Sequence, residues 1–228
     1  YALVKFKKLA GGGYFKIVNQ SVPLALRRLG YPEQYIADVV AYCLGHGTLR
    51  GCSSITHEKL AAKGFTSDII VAIEKQLPRI SELKYAFTQW ILGKEFCMKL
   101  GFSEKQLSDP AFDLLKALGF TAQEIDAASE YVCGTMTVEG APHLKLEHYP
   151  VFDCANRCGK NGQRFIVPYG HLRMLSATQP FISGAISKTI NMPRESSVDD
   201  IKDAYLFAWK HMVKAVALYR DGCKLSQA

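Results

Sequence analysis

Hydrophobic and polar positions alternate most clearly over residues 179–193. Ile182, Ile186, Ile190 and Met192 share one parity with Gly184 and Lys188. Ser183, Ala185, Ser187, Thr189 and Asn191 share the other. A period of two predicts a strand with one apolar face and one face of small polar groups. Pro180 and Pro193 bound it, because proline cannot donate to a ladder. Short polar side chains allow close approach and supply many donors and acceptors, as the wall of a ligand cavity requires. On pattern alone, an ordinary half-buried strand is the simpler reading.

The rest of the chain is mostly helical in pattern. Residues 3–9 alternate apolar and basic side chains and predict a strand or extended arm. Gly11, Gly12 and Gly13 follow; with no GxxxxGK[ST] or GxGxxG around them, they read as a joint. Residues 18–29 predict a helix capped by Ser21, with Pro23 in its first turn and Gly30 as its stop. From Leu29 to about Pro150 the chain repeats itself. Leu29-Gly30-Tyr31 recurs as Leu118-Gly119-Phe120. At that same offset Ile36 meets Ile125, Tyr42 meets Tyr131, Gly45 meets Gly134 and Gly51 meets Gly140. Thr121 with Glu124, and Ser103 with Gln106, have capping-box spacing. The centre therefore reads as a helical module built by duplication. Beyond it, residues 151–158 predict loop or extended chain, 165–168 a short strand, and 168–177 a helix with Leu172 and Leu175 inward. Ser196 or Ser197 caps a last helix whose stripe runs through Val198, Ile201, Tyr205, Ala208, Trp209, Met212, Val216 and Tyr219. Arg220 and Gly222 end it. Helix, strand, helix is the order of an α/β barrel or layered sheet.

Composition adds bounds to this picture. The chain has 228 residues, 48% of them hydrophobic, which suits a globular protein with a substantial core. No apolar run reaches the roughly 18 residues a membrane helix needs, and no charged-then-apolar leader opens the chain. Free thiols and a cytoplasmic setting are expected from seven scattered cysteines. The chain opens at Tyr1 and reads as a fragment of a longer protein. The net charge of +7 is uneven. Lys5, Lys7, Lys8, Lys16, Arg27 and Arg28 stand in an acid-free opening block. Arg157, Lys160, Arg164, Arg173, Lys188 and Arg194 form a second such block. The two blocks point to a polyanion such as a nucleotide. His143, His148, Cys154, Cys158 and His171 are zinc ligands by type, but their spacing matches no strong zinc pattern, and no metal site is assigned. No triad or paired-carboxylate constellation is present either.

Several stretches resemble adenosylcobalamin-dependent (class II) ribonucleotide reductases. They are QPFISGAISKTINMP at 179–193, HYPVFDCANRCG at 148–159, ALYRDGCKLSQ at 217–227, LVKFKKLAGGGYFKIVNQSVPLALRRLGY at 3–31 and YVCGTMTVEGAPHL at 131–144. The resemblance spans nearly the whole chain. It implies an α/β, mainly helical fold: the C-terminal segment of a ten-stranded α/β barrel with a helical insertion containing the internal duplication. Residues 1–28 would follow the phosphate loop, 29–150 would be the insertion, and 151–228 the closing barrel segment. The implied enzyme reduces a ribonucleoside di- or triphosphate by thiyl-radical chemistry. It uses adenosylcobalamin and an external dithiol such as thioredoxin, and a second copy of itself, in a homodimer, is among the partners implied. The thiyl cysteine, with its Asn-x-Cys-x-Glu setting, has no counterpart here. No catalytic residue is therefore assigned, and the fragment should be inactive without the remainder of the parent chain. Ala217-Leu218-Tyr219-Arg220 lacks the Tyr-Tyr pair of class I enzymes, as a locally generated radical would allow. Ser187, Lys188, Thr189 and Asn191 match the family motif and are candidates to line the substrate or cofactor site. The alternative reading is a basic helical module that binds nucleic acid.

Overall fold

A computed structural model describes residues 2–8 and 14–223. Leu9, the Gly11–Gly13 joint and residues 224–228 lie outside the described residues. The chain divides into two compact units, one of Leu3–Tyr149 with Gly159–Asn161, the other containing Pro150–Cys158 and the chain from Gly162 onward.

The larger unit opens with β1 (Val4–Lys8) and β2 (Tyr14–Val18), an antiparallel pair with Val4 opposite Val18. β2 is absent from the sequence reading because its ladder partner lies across the glycines, beyond the reach of local periodicity. α1 (Ser21–Arg28) follows. Ser21 is its first residue and not the predicted cap. The cap position is Gln20, which makes no side-chain capping bond; Asn19, just before it, accepts from the Ser21 backbone N–H at 3.1 Å and from its hydroxyl at 2.9 Å.

The helices then run α2 (Glu33–Leu44), α3 (His57–Ala62), α4 (Ser67–Gln76), α5 (Gln89–Leu92), α6 (Lys94–Lys99), α7 (Glu104–Leu107), α8 (Leu114–Ala117) and α9 (Ala122–Cys133). Short 3₁₀ turns sit at Leu77–Arg79 and Leu83–Ala86. Glycine turns at Gly64, Gly101 and Gly119 separate several of these helices. Both predicted capping boxes are formed, at Ser103–Gln106 and Thr121–Glu124. The apolar faces meet in one core that includes Ile55, Leu60, Ile73, Leu77, Leu92 and Leu115. Each such side chain removed from water contributes roughly 1.5–3 kcal/mol.

α2 and α9 are both 12 residues long and make reciprocal contacts. The Tyr42 hydroxyl donates to the Glu139 carbonyl at 2.9 Å, and the Tyr131 hydroxyl to the Arg50 carbonyl at 2.8 Å. The His46 N–H reaches the Tyr131 carbonyl at 2.8 Å, and the Thr135 N–H reaches the Tyr42 carbonyl at 3.0 Å. Gly45 and Gly134, at φ 81° and 76°, cross where the two helices end.

The smaller unit holds α10 (Pro168–Thr178), β3 (Thr189–Met192), α11 (Val198–Lys210) and β4 (Ala217–Arg220). β3 and β4 are parallel, with Thr189 opposite Ala217 and Met192 opposite Arg220. α11 is the crossover that a parallel pair needs. Leu172 and Leu175, inward as predicted, pack with Ile190, Ala204 and Ala208.

Three expectations need correcting here. Residues 165–168 form no strand, because Pro168 begins α10. The last helix stops at Lys210. Met212 takes φ 61° and the Val213 N–H returns to the Ala208 carbonyl at 3.0 Å, closing the helix end. Val216 and Tyr219 are therefore not helical, and Tyr219 lies in β4. Finally, the strand at residues 179–193 is confined to Thr189–Met192. Among the described residues the strands make two separate pairs, and no closed barrel is formed.

Candidate functional site

Residues 182–188 are irregular, and side chains, not a neighbouring strand, take up the carbonyls of residues 182–184. Pro180 places Gln179 in a short 3₁₀ turn, and Gln179 is buried there. Its amide donates to the Ile182 carbonyl at 3.2 Å and to the Gly184 carbonyl at 2.9 Å. The Lys214 ammonium donates to the Ile182 and Ser183 carbonyls, at 3.3 and 2.6 Å. The Gln179 amide oxygen in turn accepts from the Lys214 backbone N–H at 3.3 Å. A buried amide with donors and acceptors both engaged holds one conformation.

Where β3 begins, the predicted alternation reappears. Ile190 and Met192 are buried, Thr189 is exposed and Asn191 is half-buried. The four candidates do not converge. Asn191 lines a cavity of about 150 Å³ with Ala155, Asn156, Arg157, Arg194 and Asp221, among others. Ser187, Lys188 and Thr189 are not in that lining. Ser187 and Thr189 face solvent, and the Lys188 ammonium is turned back onto the Thr189 carbonyl at 2.5 Å.

Charge around the cavity is mixed. The Arg157 guanidinium donates to Glu195 at 2.9 Å and lies 5.3 Å from the centre of the Phe165 ring. The Glu195 backbone N–H, then Arg157, hold the Glu195 carboxyl below the usual carboxylate range. Asp221 donates its backbone N–H to the Met192 carbonyl at 3.0 Å, continuing the β3–β4 ladder to the cavity rim. The signal for Arg157 and Arg194 was present in the sequence as the second acid-free basic block. Nothing in it distinguished these two from Arg164, which pairs with Asp153 at 2.8 Å.

His171, considered above only as a metal ligand, is the other notable group. Burial, then the nearby Lys188 charge, lower its pKa against a backbone hydrogen bond at Ile166. The imidazole is therefore neutral near pH 7. Its Nε2 is buried without a hydrogen-bond partner among the described residues. Such a nitrogen can accept from, or donate to, a bound polar group.

The remaining zinc-type residues have local partners. His143 Nε2 is 3.2 Å from Asp38 and stacks on Tyr35. His148 Nδ1 is 2.6 Å from the Tyr31 hydroxyl. No group of three metal-binding side chains gathers among the described residues. The basic blocks are also partly neutralised within the protein. Arg27 pairs with Glu33, Lys160 with Asp126, and Lys16 donates to the Cys133 carbonyl at the end of α9.

A parallel β3–α11–β4 unit, preceded by a helix, has the connectivity of an α/β barrel or layered sheet. Comparison with known proteins agrees. The family model for the ribonucleotide reductase barrel domain matches residues 100–219, just over half of the chain. The chain belongs to the ribonucleotide reductase family. Among its relatives, the vitamin B12-dependent ribonucleotide reductase of Bradyrhizobium diazoefficiens is 58% identical over 228 residues, all of this chain and 18% of that protein. The enzyme of the same name from Agrobacterium fabrum is 55% identical over the same span and share. A vitamin B12-dependent ribonucleoside-diphosphate reductase of Mycobacterium tuberculosis is 34% identical over 143 residues, 62% of this chain and 18% of that protein. The chain thus spans about a fifth of the length of the curated relatives it matches.

Proposed function

We propose that this chain is the closing C-terminal part of the catalytic barrel of an adenosylcobalamin-dependent ribonucleotide reductase, and that it is inactive alone. The observation that carries this reading is the 58% identity over every residue of the chain to one such enzyme. β3 and β4 would be two neighbouring staves of a ten-stranded barrel, with α10 and α11 on its outside. The reciprocal contacts of α2 and α9, at the offset read from the sequence, support an internal duplication in the helical segment at 29–150.

In this reading Asn191 and the unpartnered His171 Nε2 face a bound ribonucleotide, while Ser187, Lys188 and Thr189 brace the wall. His171 holds no proton to give near neutral pH beyond its single neutral N–H, so its part is to bind and orient. The cavity beside Asn191, about 150 Å³, is far too small for a corrin ring. Adenosylcobalamin, which supplies the initiating radical when bound, would be held by other parts of the parent chain. The substrate would be a ribonucleoside diphosphate, in keeping with the name of the mycobacterial relative. An external dithiol such as thioredoxin would return the enzyme to its reduced state, in the cytoplasm, in a homodimer.

The test compares this chain with the full-length parent, each given adenosylcobalamin, a dithiol and a ribonucleoside diphosphate. The parent should form deoxyribonucleotide and the isolated chain none. Turnover by the isolated chain, or its absence in a correctly folded parent, overturns the proposal. In the parent, Asn191→Ala should raise KM for the nucleotide more than it lowers kcat.

A further inference from the structure

Seven cysteines are present, and two of them touch. Cys43, Cys52, Cys97 and Cys133 are buried and Cys223 is exposed, whereas Cys154 and Cys158 are both half-buried. The backbone bends at Ala155 and Asn156. That bend returns the chain on itself and sets the Cys154 thiol against that of Cys158, while each sulfur also lies 3.7 Å from the carbonyl oxygen two residues before it, of Phe152 and Asn156. The buried cysteines are shielded from oxidants, and a lone exposed thiol has no resolving partner. The Cys154–Cys158 pair has both access and a partner.

The three residues between them have a definite place. Ala155, Asn156 and Arg157 form one side of the cavity that Asn191, Arg194 and Asp221 complete. Arg157 is also fastened to Glu195. The Cys154 carbonyl accepts from the Ile166 N–H at 2.8 Å, which anchors the start of the loop. A bond between the two sulfurs would close a small ring whose members are that cavity wall.

We propose that Cys154 and Cys158 are a redox-active pair that closes to a disulfide by exchange with a small-molecule disulfide, resetting the cavity wall at residues 155–157. Contact with Cys158, then burial, push the Cys154 thiol well above the ordinary range. Cys154 therefore keeps its proton and Cys158 attacks first. The Cys158 thiolate displaces one thiolate from the incoming disulfide and forms a mixed disulfide. Cys154 then loses its proton to solvent, attacks the Cys158 sulfur and expels the second thiolate. Two protein thiols lose two electrons and two protons, and the incoming disulfide becomes two thiols. The inference rests on these two side chains and the cavity, and it stands whether or not the enzymatic reading holds.

Trypsin cuts after Lys145, Arg157 and Lys160, so it separates the two cysteines into peptides 146–157 and 158–160. The full-length parent is incubated with oxidised glutathione, alkylated and digested without reduction. The expected product is the two peptides joined, with dithiothreitol restoring both alkylated forms. Cys154→Ser should accumulate a glutathione mixed disulfide on Cys158. Cys158→Ser should modify Cys154 at least about tenfold more slowly. Full alkylation of both cysteines after oxidation sufficient to modify Cys223 overturns the proposal. So does protection of both thiols by one equivalent of zinc, which would make them metal ligands. The wild-type peptide map decides the matter even if a variant fails to fold.

Discussion

Gly45 and Gly134 illustrate how much a single position can demand. Both have positive φ, and a Cβ on Gly45 would lie 2.3 Å from the Val132 carbonyl oxygen and 2.4 Å from the Gly134 nitrogen. A Cβ on Gly134 would lie 2.4 Å from the Cys43 carbonyl oxygen and from the Gly45 nitrogen. These obstacles are backbone, which cannot step aside. Gly45→Ala and Gly134→Ala should therefore each cost on the order of 3 kcal/mol or more in denaturant unfolding. Gly30→Ala and Gly101→Ala meet nothing within 4 Å and carry only the strain of positive φ, about 1–2 kcal/mol. Equal losses at all four positions would show that the crossing of the two loops is not tight. The chain itself made Gly45 and Gly134 legible as a matched pair. It did not show that they touch, since contact between residues so far apart is a property of the fold. His171 was legible only as a metal-ligand type of side chain, and its unpartnered nitrogen depends on what the fold leaves around it.

At the scale of elements, local signals were legible and distant ones were not. Capping boxes need only residues three apart, and those read at Ser103 and Thr121 both formed, while Ser197, one of two serines read as a cap, forms a further box with Asp200. Thr121→Ala should cost about 1 kcal/mol, read from thermal or denaturant unfolding. The same cap sets a pH dependence. Hydrogen bonds from Thr121, then Lys59, lower the Glu124 carboxyl from 4.5 to about 2. A depressed folded pKa means that the carboxylate's stabilisation is complete above the unfolded value and is lost as pH falls toward about 2. Glu124→Gln retains an acceptor but does not titrate, so it should flatten the melting-temperature profile between about pH 4.5 and 2. A profile unchanged by the substitution would place the acid transition elsewhere. The predicted long strand and long last helix failed for a shared reason. Gln179 and Lys214 capture the carbonyls of residues 182–184, and β3 recruits residues 217–220 as a ladder partner. Neither competitor lies within a window in which periodicity can be read.

For the molecule as a whole, the informative feature is apolar surface. On α11, Tyr205 is 49% exposed, Leu206 51% and Trp209 73%, and Met212 just beyond it is 81% exposed. The sequence placed Tyr205, Ala208, Trp209 and Met212 on one inward stripe; of these Ala208 does face the core of this unit, beside Ala204, while the three large side chains do not. Scattered apolar side chains are ordinary on a surface, but a contiguous run along one helix is usually a covered face. The curated relatives matched are about five times longer than this chain, and the remainder of such a chain would be the cover. Hydroxyl-radical footprinting can decide this, because Trp209 and Met212 react readily when wet. Both should be labelled strongly in the isolated chain and protected several-fold in the full-length parent. Trp90, 86% exposed on the helical unit, supplies an internal comparison within each sample. Equal labelling of Trp209 and Met212 in chain and parent would mean that this face stays open.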